Sequence, residues 1–250
     1  MFSEKCRLYE NPALREAGEG LIRPGGLELT QRAVALSGLR PGALVLDVGC
    51  GTGATLRYLT ERCALRAIGI DLSIILAAEG HAKKPDLLFV LASAHRLPFT
   101  DSIMDAVLAE CSLSLMESPE NVLDECSRVL KPGGSLLVHD VYAHDPHEGA
   151  KLQETPFECC MSGAVSKEQW LRRLEGGGFA VAFWEDHSQA LKEFAARLIF
   201  SQVSLEHFLR RLPNTTRVEQ CPQIRHAVSL ANPGYFLAVA RKIHRESTSD

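Results

Sequence analysis

The sequence predicts an α/β protein in which a mostly parallel sheet is covered by helices on both faces. Three observations support this prediction. Strand-length apolar runs alternate with helical patterns between residues 43 and 141, a glycine-rich loop joins the first of these strands to a helix, and an alternating segment stands apart near the end of the chain. Strands that alternate with helices pair in parallel, because each helix returns the chain to the same edge of the sheet.

The first part of the chain contains a helix and two strands that frame this loop. Residues 27–37 place apolar side chains at helical spacing. Residues 43–48 are a short apolar run next to glycines, which predicts a buried strand. Residues 54–62 form the next helix, and residues 65–70 form a second strand that ends at Asp71.

Five further elements complete the alternation. Ser73 is an N-cap for a helix that runs to about residue 81. Residues 87–91 and 105–109 are the third and fourth strands. Ser118-Pro119 begins an amphipathic helix, since serine is favoured at the N-cap and proline at the first helical position. Residues 135–141 are the fifth strand.

The C-terminal part departs from this regular alternation. Ser166 and Gln169 have the spacing of a capping box and begin another helix, followed by a strand over residues 179–184. A helical pattern over 188–212 precedes the last strand, 235–241. We expect the long insertion before this strand to be functional, as a cap on the substrate side.

The composition is that of a globular protein. The chain has 250 residues, 46% hydrophobic, with 27 Lys and Arg against 31 Asp and Glu. These values exclude global disorder and disfavour a nucleic-acid partner, which usually meets a basic surface. No apolar run reaches the length of a membrane span, and the N-terminus lacks the apolar core of a signal peptide, so we expect a cytoplasmic protein without a membrane partner. The eight cysteines include no Cys-x-x-Cys pair, which predicts free thiols and no bound metal.

The strongest local signal is the loop Asp47-Val48-Gly49-Cys50-Gly51-Thr52-Gly53, with Asp71 at the end of the following strand. Glycines let a backbone turn tightly beside a ligand, and a carboxylate at the second strand end can bind ribose hydroxyls. The loop also fits the relaxed dinucleotide fingerprint, so NAD and S-adenosylmethionine both remain possible. Asp47 favours S-adenosylmethionine, because a carboxylate attracts its ammonium group and repels phosphate.

The loop resembles motif I of the class I S-adenosylmethionine-dependent methyltransferases, in their type 11-like group. Four further blocks follow in family order: Gly69-Ile70-Asp71-Leu72-Ser73, Leu97-Pro98-Phe99, Asp105-Ala106-Val107 and Arg128-Val129-Leu130-Lys131-Pro132-Gly133-Gly134. The resemblance implies a Rossmann-like sheet of seven strands with an antiparallel last strand, and S-adenosylmethionine as cofactor, released as S-adenosylhomocysteine. It implies these cofactor contacts: Asp47, Gly49, Cys50, Gly51 and Gly53 at the methionine end, Asp71 at the ribose, Leu72, Ser93 and Ala94 at the adenine, and Glu110 beside the methyl group.

The acceptor side is predicted to follow the fourth strand, where Glu110 and Cys111 would face the methyl group. Residues 110–115, together with a later Cys-Cys segment, resemble the arsenite methyltransferase branch, which implies that Cys111 and Cys160 bind trivalent arsenic. Alternatively, both cysteines are small apolar side chains that line a pocket for an organic acceptor. Methyl transfer from a sulfonium is a direct displacement that depends on positioning, so a general base is not required of this site.

The sequence therefore predicts an S-adenosylmethionine-dependent methyltransferase that acts on a small molecule. Three alternatives remain: an arsenite methyltransferase that uses Cys111 and Cys160, an NAD-binding oxidoreductase, and a cofactor-binding protein without catalysis. We expect a single domain over residues 1–250. Within it, residues 1–40 form an N-terminal helical cap, 41–142 the cofactor-binding core, 143–234 the substrate-side segment and insertion, and 235–241 the last strand.

Overall fold

The computed structural model describes residues 9–12, 21–145, 159–200 and 232–243. In chain order the elements are α1 (Gly26–Ser37), β1 (Leu44–Val48), α2 (Ala54–Arg62), β2 (Arg66–Asp71), α3 (Ile74–Lys83), β3 (Leu88–Leu91), β4 (Met104–Glu110), α4 (Pro119–Val129), β5 (Leu130–Ala143), β6 (Val165–Ser166), α5 (Lys167–Gly176), β7 (Phe179–Asp186), α6 (Ser188–Phe200) and β8 (Pro233–Lys242). Two short 3₁₀ turns, Leu113–Leu115 and Cys160–Gly163, follow β4 and precede β6.

The described strands form one sheet whose main path is β3-β2-β1-β4-β5-β8-β7, with the two-residue β6 paired to the end of β5. Strands β1 to β5 are mutually parallel, and β8 is antiparallel to both β5 and β7. This confirms the mostly parallel sheet and the antiparallel last strand. The strand order reverses beside β1, between β2 and β4, and open parallel sheets bind ligands at such a switch point.

Most predicted elements are present with bounds that differ by one to three residues from the expected ones. The capping box at the start of α5 is complete, since Ser166 and Gln169 exchange both of its hydrogen bonds. Ser118 occupies the N-cap of α4, but its side chain makes no capping bond. The predicted helix over 188–212 is described only to Phe200, and the rest of the insertion lies outside the described residues. Among the described helices, none is long and apolar enough to span a bilayer.

The largest difference from the predicted bounds is at the start of β5. The strand begins at Leu130 instead of residue 135, because Leu130 already pairs with Met104. The register then shifts before Ala106 pairs with Ser135, and Gly133 has a positive φ of 72°. The Lys-Pro-Gly-Gly segment is therefore an irregularity within the strand, whereas the predicted strand begins only after this segment.

The hydrophobic core has two parts, one on each face of the sheet. Successive residues of β1 contribute to opposite parts, since Val45 packs in one cluster and Leu46 in the other. Helices α4 and α5 cover the Leu46 face, and α1 and α2 cover the Val45 face. Trp170 on α5 is fully buried, and its indole Nε1 donates to the backbone oxygen of Val141 over 3.0 Å. The ring also lies 5.2 Å from that of Phe236 on β8.

Replacing Trp170 with alanine is expected to lower the free energy of unfolding by about 3–5 kcal/mol, because a large cavity replaces a fully buried ring. Trp170→Phe keeps most of the packing and loses the bond to Val141, so we expect about 1–2 kcal/mol. Urea denaturation followed by circular dichroism measures both losses. Equal losses in the two variants would show that the hydrogen bond, and not the ring volume, stabilises this face.

Candidate active site

A cavity of about 580 Å³ opens at the carboxyl ends of β1, β2 and β4. Its size is in the range of small-molecule and cofactor sites. Nine of the residues predicted for the site line it: Gly49, Cys50, Gly51, Asp71, Leu72, Ser93, Ala94, Glu110 and Cys111. Three others, Asp47, Gly53 and Cys160, are not among its described lining residues. Asp47 stands two residues before Gly49, Gly53 stands between Thr52 and Ala54, and Cys160 interacts with Cys111.

The glycine loop is shaped by close contacts on both sides. Gly49 has a φ of 79°, and a Cβ there would lie 2.8 Å from the Cβ of Ser112. Ser112 is held in place because its hydroxyl donates to the backbone oxygen of Val48 over 2.8 Å. Gly53 has a φ of 76° at the N-cap of α2, and a Cβ there would lie 2.5 Å from the ring of Phe89. A side chain at either position would displace the loop.

Three backbone donors of this loop are already used within the protein. The N–H groups of Gly49 and Cys50 both donate to the oxygen of Ile70, over 2.9 and 3.0 Å. The N–H of Gly51 donates to Oδ2 of Asp71 over 2.8 Å. Loops that bind phosphate present free N–H groups to the anion. These three donors are not free, so the loop geometry favours a ligand without a diphosphate over NAD.

Asp71 connects the loop to the next helix. Its Oδ1 accepts a 2.8 Å hydrogen bond from the N–H of Ser73, while Oδ2 holds Gly51. Burial raises the pKa of Asp71, and these backbone hydrogen bonds oppose the rise. Each carboxylate oxygen has a second lone pair, so the side chain can still accept bonds from a ligand. Leu72, the next residue, is 36% exposed and lines the cavity.

Glu110 ends β4 with its carboxylate fully engaged. Oε1 accepts a 2.6 Å bond from the hydroxyl of Thr30, and Oε2 accepts one of 2.7 Å from Thr55. Arg23 Nη2 lies 3.0 Å from Oε2, and His139 Nδ1 lies 3.1 Å from Oε1. Burial favours the neutral acid, but the charge of Arg23, the neighbouring His139 and the hydrogen bond from Thr30 outweigh it and hold the pKa of Glu110 at about 2. Such a carboxylate is a weak base, so its contacts indicate that it fixes neighbouring groups.

A cluster of three cysteines lies beside the cavity. Cys111 has a φ of 56°, which is unusual for a residue other than glycine. Its N–H donates to the backbone oxygen of His139. Cys160 lies near Cys111, Cys159 and Tyr9, and interactions with these three groups hold the pKa of Cys160 well below that of a free thiol, against the effect of burial. The structure thus brings together the two cysteines that the sequence paired, and adds Cys159. No metal-binding cluster of three or more His, Cys, Asp or Glu residues is found in the part of the chain that the structure describes.

Asp47 is buried at the end of β1, two residues before Gly49. Burial raises its pKa well above the usual value, Glu110 and Asp71 add to the rise, and Arg23 opposes it. A protonated, or partly protonated, carboxyl at this position would ionise readily beside a cationic ligand.

Three residues of the site were not predicted from the sequence. Tyr9 and Arg23 line the cavity from the N-terminal segment, and Thr55 lines it from α2. Thr55 is adjacent to a recognised motif, so its position could have been noted. Tyr9 and Arg23 belong to no motif, and only the fold places them at the cavity.

An open parallel sheet, a glycine loop at its switch point and a carboxylate at the next strand end define a nucleoside-binding α/β domain. Comparison with known proteins narrows this class. Residues 46–138 match the family model described as a methyltransferase domain. The chain is 28% identical over 200 residues to phosphoethanolamine N-methyltransferase of Triticum aestivum, covering 78% of this chain and 39% of that protein. It is 40% identical over 140 residues to demethylmenaquinone methyltransferase of Beutenbergia cavernae, covering 55% of each.

Two solved structures share the fold over 96% of this chain. The 4+2 cyclase SpnF has a TM-score of 0.76 and 26% identity, with 96% of its chain covered. Phosphoethanolamine N-methyltransferase 2 of Haemonchus contortus, in complex with phosphomonomethylethanolamine and S-adenosylhomocysteine, has a TM-score of 0.71 and 18% identity, with 58% of its chain covered.

Residues 46–138 therefore carry a methyltransferase domain. This match, together with the shared fold, confirms the predicted fold and cofactor class. The chain spans only 39% and 55% of the two curated relatives described above.

Proposed function

We propose that this protein transfers a methyl group from S-adenosylmethionine to a small-molecule acceptor. The observation that carries the proposal is a single cavity that joins the glycine loop and Asp71 to a separate wall at Cys111. The first part suits the nucleoside and methionine portions of the cofactor, and the second leaves room for an acceptor in line with the methyl group. The cofactor contacts predicted from the sequence are proposed with it, as is the single-domain organisation.

The cavity lining supports a small and largely apolar substrate. It includes Leu21, Ile22, Leu115 and Met116 together with Cys111. In-line displacement at a sulfonium needs positioning more than proton transfer. Glu110 is unsuited to act as a base, because its oxygens are bonded and its pKa is low. The site therefore fits an acceptor atom that carries a free lone pair or is activated within the substrate.

The test is a transfer assay with methyl-labelled S-adenosylmethionine. The acceptor panel contains an amino-alcohol phosphate, a quinol and a terpenoid diphosphate, with S-adenosylhomocysteine binding measured separately by calorimetry. Label in one product class supports the proposal and identifies the acceptor. If S-adenosylhomocysteine does not bind, the cofactor assignment fails. Binding without transfer across a broad panel would favour a protein that uses the cofactor without methylation, a reading made relevant by the likeness to a cyclase.

Trivalent arsenic is a second candidate acceptor, favoured by the contact between Cys160, Cys111 and Cys159. Soft thiolates bind such an ion well. The relatives described above lend it no support. The same assay, with arsenite and a thiol reductant, tests it with Cys111→Ser and Cys160→Ser as matched variants and Cys126→Ser, a buried thiol on α4, as the control. Methylated arsenic that persists in both site variants would reject the thiol role.

Cofactor affinity is expected to depend on pH through Asp47. In the empty site its pKa is raised, so the protonated form is favoured at low pH. The ligand ammonium favours the ionised form, so binding releases a proton and affinity rises with pH until it passes the raised pKa. Calorimetry with S-adenosylhomocysteine from about pH 5 to about pH 8, in buffers of different ionisation enthalpy, measures both effects. An unchanged slope in Asp47→Asn would assign the titration to another group.

A further inference from the structure

Arg23 is a buried cation in the cavity wall that belongs to no recognised motif. It precedes α1, is 9% exposed and lines the same cavity as Gly49. Its Nη2 donates to the hydroxyl of Thr30 over 2.8 Å and lies 3.0 Å from Oε2 of Glu110. A buried arginine is costly unless its charge is paired and its donors are used, so its remaining donors require an explanation.

Part of the guanidinium has no partner among the described residues. Arginine has five N–H donors in a fixed plane. The contacts described above use Nη2, and Nε is buried without a partner among the described residues. Thr30 and Glu110 hold Nη2 and thereby fix the orientation of the group. Such an arrangement is suited to a planar anion such as a carboxylate.

Four residues of the glycine loop have no free backbone N–H to offer a carboxylate. The N–H groups of Gly49, Cys50 and Gly51 are bonded to Ile70 and Asp71, and that of Gly53 donates to the oxygen of Cys50 over 2.9 Å. An amino-acid moiety placed against these four residues would find their N–H groups already bonded. Arg23 and His95 are the basic side chains among the described lining residues, and His95 follows β3 on the side predicted for the adenine.

We propose that Arg23 binds the carboxylate of the methionine moiety of the cofactor, while Glu110 and Thr30 hold the guanidinium in place. The inference rests on the proposed cofactor site and adds a residue to it. It gives Glu110 a positioning role: the carboxylate orients the arginine that fixes the amino-acid end of the donor. Asp47, whose ionisation Arg23 influences, is then the neighbouring partner for the ammonium group.

The test compares two ligands on the same protein: S-adenosylhomocysteine and its decarboxylated analogue, which keeps the amine and lacks the carboxylate. A hydrogen-bonded charge contact predicts that wild type prefers the first ligand by roughly 10- to 100-fold. In Arg23→Gln the preference is expected to fall to about twofold or less, because only the carboxylate loses its partner. Calorimetry gives both dissociation constants. A ratio within one variant is insensitive to the fraction of protein that folds.

Controls separate the possible outcomes. Arg32→Gln removes an arginine of α1 whose partner is Glu185, away from the cavity lining, and is expected to keep the wild-type preference. If Arg23→Gln does not fold, Arg23→Lys keeps the charge without the planar fork and is expected to retain an intermediate preference. An unchanged preference in the Arg23 variants overturns this inference and leaves the cofactor site standing. Failure of wild type to bind either ligand overturns the cofactor site itself.

Discussion

Asp71→Ala is expected to weaken S-adenosylhomocysteine binding by about 100-fold or more. The side chain is proposed to accept two ribose hydroxyl bonds, and hydrogen bonds to a charged group contribute about 1.5–3 kcal/mol each. The change also removes the acceptor for the N–H groups of Gly51 and Ser73, so the loop that faces the methionine end loses its attachment to α3. Isothermal titration calorimetry measures the affinity, and thermal unfolding measures the structural cost.

Two further variants isolate the ribose contact. Asp71→Asn keeps the shape and one acceptor oxygen, so we expect a loss between those of alanine and wild type. Asp86→Ala removes an exposed carboxylate after α3, whose nearest basic partner is Lys84 at 3.8 Å, and should leave affinity unchanged. Unchanged affinity in Asp71→Ala would show that the ribose assignment is wrong.

The cofactor half of the site could be predicted from sequence because its determinants are local. A strand, a glycine loop and a carboxylate at the next strand end follow one another within a short stretch of chain. Parallel pairing of β1 with β2 then brings Asp71 to Gly51 without any further information. The same locality explains the predicted helix α2 and the capping box at Ser166, which depend on residues a few positions apart.

The role of Glu110 could not be predicted in this way. Its position at the end of β4 follows from the pattern, but its contacts come from Thr30 on α1, Thr55 on α2, His139 on β5 and Arg23. Only the tertiary fold brings these together, and they support the proposed role of Glu110 in orienting an arginine. Cys159 illustrates the same limit. It lies near Cys111 in the structure, but the two residues belong to segments that share no motif.

Gly163→Ala is expected to cause a large loss of stability on the acceptor side. A Cβ at this position would lie 1.8 Å from the backbone oxygen of Ser114. Ser114 cannot move aside easily, because Asp140 accepts bonds from its N–H over 3.0 Å and its hydroxyl over 2.6 Å. The turn Cys160–Gly163 must therefore move away from the turn Leu113–Leu115. Overpacking of this kind costs about 1–3 kcal/mol, and more where the neighbour is backbone.

The displacement would also separate Cys160 from Cys111 while leaving the glycine loop intact. We therefore expect Gly163→Ala to bind S-adenosylhomocysteine with little change, to lose most methyl transfer, and to expose Cys111 to an aromatic disulfide reagent. Gly176→Ala is the matched control: a Cβ there would meet no atom within 4 Å, and alanine favours the helix end by up to about 1 kcal/mol. Equal melting temperatures for the two variants would show that the turns can part without cost. Retained transfer in a destabilised Gly163→Ala protein would place the acceptor away from the cysteine wall.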